Sequence, residues 1–283
     1  LKENVQWFFN KMEDASAELE EKIASISDIY PEISNISIPS KISDNITLST
    51  THGCPPDEIE KIGHYLLTEK KLQTAIKLNP TLLGKETLLK IMKASGFQTQ
   101  IPEIAFEHDL KYPDALTLVK NLRNTAQKEG LHFSIKLTNT LESLNHKEVF
   151  PANEAMMYMS GRALHPVSVN LAAKLQQDFD GNLDISFSGG ADAFNISALL
   201  AAGLSPVTVC SDLLKPGGYG RLSQYLAEIR KEMQALQAGD LHDFILKSNN
   251  SGEKNVPLAA KENLAAYARS AIENPDFLKT EIR

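Results

Sequence analysis

Residues 183–212 read LDISFSGGADAFNISALLAAGLSPVTVCSD. An apolar run ends in paired glycines, a helical stretch over 195–202 follows, and PVTVCS closes the unit. Strand, glycine-bearing turn, helix and strand in that order are the signature of a parallel sheet covered by helices. The rhythm extends upstream. NITLST (45–50) leads into a helix over 56–70, whose Pro56-Asp57-Glu58 start suits the free amides of a first turn. TAIKLNP (74–80) precedes a helix over 86–94, and an apolar run at 104–106 precedes a helix over 113–128 that Gly130 stops. LHFSIKLTNT (131–140) is a further strand. A long polar connection then reaches MMYMSG (156–161), and a helix spans 166–177.

Residues 5–29 carry Val5, Phe8, Phe9, Met12, Leu19, Ile23 and Ile26 at mostly three- and four-residue spacing, which predicts one amphipathic helix with Trp7 packed at its start. An extended connector over 31–39 follows. Downstream a helix covers 222–236, and KSNNSGEKNVP (247–257) interrupts the chain before a last helix over 257–272. The expected organisation is a helix and connector over 1–44, a (β/α) barrel portion over 45–238 and a helical extension over 239–283. Six apolar runs follow residue 45. An α/β fold of the TIM (β/α)8 type needs about two more, so its N-terminal strands are expected outside these residues.

Composition excludes several classes. The 283 residues hold 29 Lys plus Arg against 36 Asp plus Glu, a net charge of -7, with no basic run to form a nucleic-acid footprint. The two cysteines, Cys54 and Cys210, form no CxxC pair, so this chain alone builds no four-cysteine iron–sulfur or zinc site. No apolar stretch approaches the roughly 18 residues of a membrane span. A soluble, cytoplasmic protein without a resident metal is expected.

The candidate chemistry lies just after the strands, where a parallel α/β sheet opens to ligands. Gly189 and Gly190 let backbone amides approach an anion, and Cys210 and Ser211 end the neighbouring strand; a tight turn needing glycine for shape is the competing reading. Lys77 and Lys136 end two apolar strands and either snorkel at the rim or point inward as cations. Asn79, Asn139 and Thr140 offer donors and acceptors suited to a planar heterocycle, or else cap loops. In THGCPPDE (51–58), Cys54 ahead of a helix start is either a thiol of lowered pKa with His52 as partner, or a small buried residue. Arg162 is a candidate anion contact.

TLSTTHGCPP, IKLNP, KLTNT, YMSGRALHPVSV, SFSGGADAF and VTVCSDLL, in that order, resemble the flavin-binding barrel of dihydropyrimidine and dihydroorotate dehydrogenases. The likeness is strongest to a relative of those enzymes, an iron–sulfur flavoprotein named as a selenate reductase subunit, and covers about residues 45–236. The resemblance implies FMN across the barrel mouth. Asn139 and Thr140 would then touch the ring or ribityl chain, Gly161 would line the adjoining loop, and Gly189, Gly190, Cys210 and Ser211 would surround the phosphate. A strand lysine, Lys77 or Lys136, would lie by the ring. The family's catalytic Cys or Ser falls on Thr50 here, with Cys54 four residues later; threonine has no pKa suited to proton transfer near neutrality.

The function expected is a flavin-dependent oxidoreductase domain passing a hydride or electrons between FMN and a small conjugated or heterocyclic substrate. Iron–sulfur and NAD(P)- or FAD-type domains or subunits outside this chain would be its electron-transfer partners. Two other readings stand beside it. One is a phosphate-binding aldolase or isomerase using Lys77 or Lys136, and the other a scaffolding barrel without its flavin.

Overall fold

The computed structural model describes residues 2–50 and 53–278. Helices α1 (Glu3–Glu13) and α2 (Ser16–Ile26) replace the single helix expected over 5–29. The Asp14 carboxylate causes the break, accepting the Ser16 backbone N–H at 3.0 Å and so taking one of the free amides that a helix start leaves open. Neither helix buries a residue, and Trp7 stays 62% exposed. A 3-10 turn at Pro31–Asn35 occupies part of the expected extended connector.

Strand β1 (Asn45–Ser49), helix α3 (Pro56–Thr68), strand β2 (Gln73–Leu78) and helix α4 (Lys85–Ala94) follow as the sequence rhythm predicts. Residues 103–108 depart from it, forming helix α5 (Glu103–His108) where a strand was expected. Pro102 caps its start with extended dihedrals and Glu103 suits its first turn. Helix α6 (Tyr112–Glu129) ends on left-handed Gly130, φ +69°. Strand β3 (Phe133–Leu137) comes next. The polar connection beyond it contains an antiparallel ribbon of β4 (Leu141–Leu144) and β5 (Met156–Met159), which the sequence pattern did not reveal.

Helix α7 (His165–Asp178), strand β6 (Ile185–Phe187) and helix α8 (Ile196–Ala201) match the expected unit closely. PVTVCS forms no strand and pairs with the sheet at a parallel bridge between Val207 and Phe187. Helix α9 (Leu222–Ala235) follows. A short α10 (Leu241–Lys247), capped by the Asp240 side chain, precedes the polar loop over 248–255 and α11 (Val256–Glu273). Helix α11 packs along α7 and buries Ala259, Ala260, Leu264, Ala268 and Ala271.

β1, β2, β3 and β6 form one parallel sheet in chain order. Register divides its faces. Leu48, Ile76, Ile135 and Ile185 make one transverse row, and Leu78, Leu137 and Phe187 another; both rows belong to the core beneath α3, α6 and α7. Ser49, Lys77, Lys136 and Ser186 make the row between them, and period-two alternation turns it to the opposite, polar face. Burial of the apolar rows fixes which face the lysines must take, because a one-residue slip would put them into the core.

Candidate functional site

The ends of β2, β3 and β6 surround a cavity of about 520 Å³ together with the loops that begin at Ser160 and Thr208. Lys77 and Lys136 both line it. They are direct register partners, so two ammonium groups leave the same sheet face side by side. The Lys136 ammonium donates to the Thr208 hydroxyl at 3.0 Å. Among the described residues neither lysine has a carboxylate partner. Burial pushes both pKa values down, and that of Lys136 falls further because Lys77 is beside it. Two half-buried cations without a counter-ion are costly to keep charged, and an anion between them removes that cost. Sequence left open which lysine would lie by a flavin ring and whether either points inward. Both line the cavity.

Asn139 and Thr140 also line the cavity. The Asn139 side-chain amide donates to the Thr50 carbonyl at 3.1 Å and to the Asn79 side-chain oxygen at 2.7 Å, and accepts the Ser49 hydroxyl at 3.0 Å. Its orientation is thereby fixed from β1 and β2. Thr50 and Asn79 are buried behind the cavity and do not line it. The Thr50 hydroxyl is committed to the Lys77 carbonyl at 2.8 Å, so it serves the sheet end.

Gly161 and Gly190 bring two loops into backbone contact. Both have positive φ, +66° and +77°, and a Cβ on Gly190 would lie 2.2 Å from the Gly161 carbonyl oxygen. A Cβ on Gly161 would lie 3.1 Å from that of Ser211. Three loops are thus drawn together around one end of the cavity, where Gly161, Gly190, Cys210 and Ser211 all line the wall. Gly189 sits behind them: a Cβ there would meet Ser168 at 2.4 Å.

Residues that sequence reading did not single out hold these loops. Arg162, considered above as an anion contact, is paired with buried Asp192, its Nε donating at 2.9 Å, and its guanidinium lies 5.6 Å from the Phe194 ring centre. Asp212 accepts from Arg221 Nε and a terminal guanidinium nitrogen at 3.0 Å each, from Lys215 Nζ at 2.9 Å and from the Tyr225 hydroxyl at 2.7 Å. Burial alone lifts the Asp212 carboxyl; the hydrogen bonds from Arg221, Lys215 and Tyr225 outweigh it and hold the group well below the usual carboxylate range. Arg162 and Lys215 line the cavity as members of ion pairs, whereas Lys77 and Lys136 are lining cations with no carboxylate partner among the described residues. The one sequence signal for the Asp212 network was a cluster of charges in a Gly/Pro-bearing loop.

Cys54 is not in this cavity. It lines a separate depression with His108, Lys111 and Asp114. Its thiol was expected to be acidified by the helix start; burial instead pushes it up, as do Glu58 and Asp57, the acids that open α3. His52 lies outside the described residues. Cys210 is exposed and faces the main cavity. In thiol titration with a water-soluble disulfide reagent at pH 7, Cys210 is expected to react first, and Cys210→Ser to remove the fast phase. A fast phase that survives that substitution would place the reactive thiol at Cys54 after all.

Residues 1–265 match the model of a family described as "Oxidoreductase YgfK, N-terminal TIM-barrel domain". Two curated relatives named "Putative oxidoreductase YgfK", from Escherichia coli strain K12 and Escherichia coli O157:H7, are each 49% identical over 193 residues. That alignment takes in 68% of this chain but 18% of either relative, so the chain spans about a fifth of their length. Among solved structures, ligand-free type DHODH from Eimeria tenella is similar at 16% identity with a TM-score of 0.39, over 73% of this chain and 64% of that one. Among the described residues no helix is long and apolar enough to cross a membrane. The parallel sheet with its ligand-sized mouth is accordingly part of a TIM-barrel domain, and the chain belongs to the family of the N-terminal domain of oxidoreductase YgfK.

Proposed function

We propose that the cavity holds FMN and that the domain works as the flavin module of a longer electron-transferring oxidoreductase. One observation carries the reading: the same cavity joins two uncompensated lysines to a glycine-lined cradle, and these are the two features a phosphorylated flavin requires. The fit is visible at Gly190, where a Cβ would fill the space the loops use to close on each other. Gly161, Gly190, Cys210 and Ser211 would hold the phosphate, and Asn139 and Thr140 the ring or ribityl chain. Bound there, FMN supplies hydride or electron transfer.

This chain's own residues bind and orient. Lys77 and Lys136 present positive charge to an anionic ligand from one sheet face. Asn139, locked by Ser49, Thr50 and Asn79, offers a fixed polar edge. The Arg162–Asp192 and Asp212 pairings keep the mouth in one arrangement. The substrate class in this reading is a small conjugated or heterocyclic molecule. Its electron partners are iron–sulfur and NAD(P)- or FAD-type domains, for which the curated relatives have ample length. Neither Cys54 nor Thr50 is given the proton, since one thiol stands elsewhere and the hydroxyl is engaged.

The test is the absorbance spectrum between about 300 and 550 nm, recorded on the full chain after incubation with FMN and desalting. Flavin bands should survive desalting, and Lys136→Met should weaken retention by about tenfold, the worth of one charge-assisted contact. A chain that retains no flavin overturns the reading. Lysines of lowered pKa also suit Schiff-base chemistry. A borohydride-trapped adduct with a carbonyl compound, without retained flavin, would favour the aldolase alternative.

A further inference from the structure

His165 opens α7 and is completely buried, outside the cavity lining. Its ring stacks on Phe277 at 4.6 Å and meets Phe187 edge-on at 5.6 Å. Two polar contacts complete its surroundings. Nδ1 lies 2.8 Å from the Gly189 carbonyl oxygen, and Nε2 lies 2.7 Å from the hydroxyl of Tyr267 on α11. A carbonyl oxygen only accepts, so Nδ1 carries the proton. Burial keeps the ring neutral, its pKa pushed down to about 4, so Nε2 is bare and takes the Tyr267 O–H. The chain of donors therefore runs one way, from Tyr267 through His165 to Gly189.

That direction has a consequence on the cavity side. The Gly189–Gly190 peptide is trans, and a trans peptide holds its C=O and N–H on opposite sides. Anchoring the Gly189 oxygen in the interior turns the Gly190 N–H away from it, and Gly190 lines the cavity. Among the described residues no acceptor meets that N–H, whereas the Gly190 carbonyl is used by the Asn195 side chain at 3.1 Å. The loop thus presents one open donor at a wall that also carries Ser211 and Gly161.

We propose that His165, fixed by Tyr267, is a positioning residue that aims the Gly190 amide into the cavity as an anion donor, which makes the C-terminal helix α11 part of ligand recognition. For FMN as the ligand this rests on the flavin reading above; for the anion donor itself it does not. Inorganic phosphate is the probe that separates them. In the uniformly 15N-labelled full chain, the Gly190 amide resonance should move on titration with phosphate. His165→Asn, whose side-chain N–H can replace Nδ1–H, should retain the response. His165→Leu should weaken phosphate binding by about tenfold, as loss of one charge-assisted hydrogen bond does. Tyr267→Phe, remote from the cavity, should shift it in the same direction.

FMN and riboflavin affinities give the second readout. His165→Leu should weaken FMN by about tenfold and leave riboflavin unchanged, whereas a damaged fold would weaken both. A Gly190 amide indifferent to phosphate in the native chain overturns the proposal, as does a His165→Leu protein that binds phosphate normally or loses both flavins equally. If His165→Leu does not fold, His165→Asn and Tyr267→Phe still decide. If phosphate behaves as expected while FMN is not retained, the flavin reading falls and the positioning role stands. If FMN is retained and Gly190 stays silent, the reverse holds.

Discussion

Asp212→Ala is expected to lower stability by about 3 kcal/mol, because it removes the acceptor at the centre of a largely buried charge cluster. The side chain is 3% exposed and takes four hydrogen bonds from three residues. Without it, the Arg221 guanidinium, largely shielded from solvent, and the buried Tyr225 hydroxyl lose their strongest partner. Lys215 is half exposed and its share is small, since water replaces the contact. Urea unfolding should show a lower midpoint at unchanged slope. The pH dependence follows from the direction of the shift. A carboxyl whose folded pKa lies below its unfolded value contributes fully above the unfolded pKa, near 4, and its contribution is lost as pH falls through the folded pKa. Asp212→Asn should therefore flatten the acid side of the stability curve. An Asp212→Asn protein that unfolds at the native urea concentration would show that the cluster is solvated.

Gly190→Ala should cost about 1–2 kcal/mol for a left-handed backbone and about 1–3 more for the contact with Gly161. The added Cβ would meet a backbone oxygen at 2.2 Å, so no side chain swings aside to relieve it. The loops must separate, and retention of any cavity ligand should fall with them. Gly84→Ala is the control, having a positive φ of +91° with nothing within 4 Å of the added carbon. It should carry the backbone cost alone and leave ligand retention intact. Equal losses in the two variants would mean that the Gly161–Gly190 approach is not needed for binding.

Much of the architecture was legible because its signals are local. Apolar runs ending at Lys77 and Lys136, Pro56 at a helix start and Gly130 at a helix end each act within a few residues. The failures came where length or partners decide. Three apolar residues, Ile104 to Phe106, fit a strand or a helix turn equally, and Pro102 settled the matter as a helix cap. The β4–β5 ribbon pairs Leu141 with Met159 across a polar stretch, and neither strand announces the other. At the site, the IKLN and IKLT echo located both lysines. Their register as direct partners depends on how the crossover through α4, α5 and α6 places the strands, which no local pattern encodes. At Cys54 burial raises the thiol, and the acids that mark a good helix start also oppose a thiolate there.

The strands stand side by side in the order of synthesis, so a chain leaving the ribosome lays each one against a neighbour already present. The sheet is therefore able to grow vectorially. The cavity is not, since its wall runs from Lys77 to Lys215 and no shorter nascent segment encloses it. Any ligand of this cavity can therefore be enclosed only after the Asp212 loop has been made.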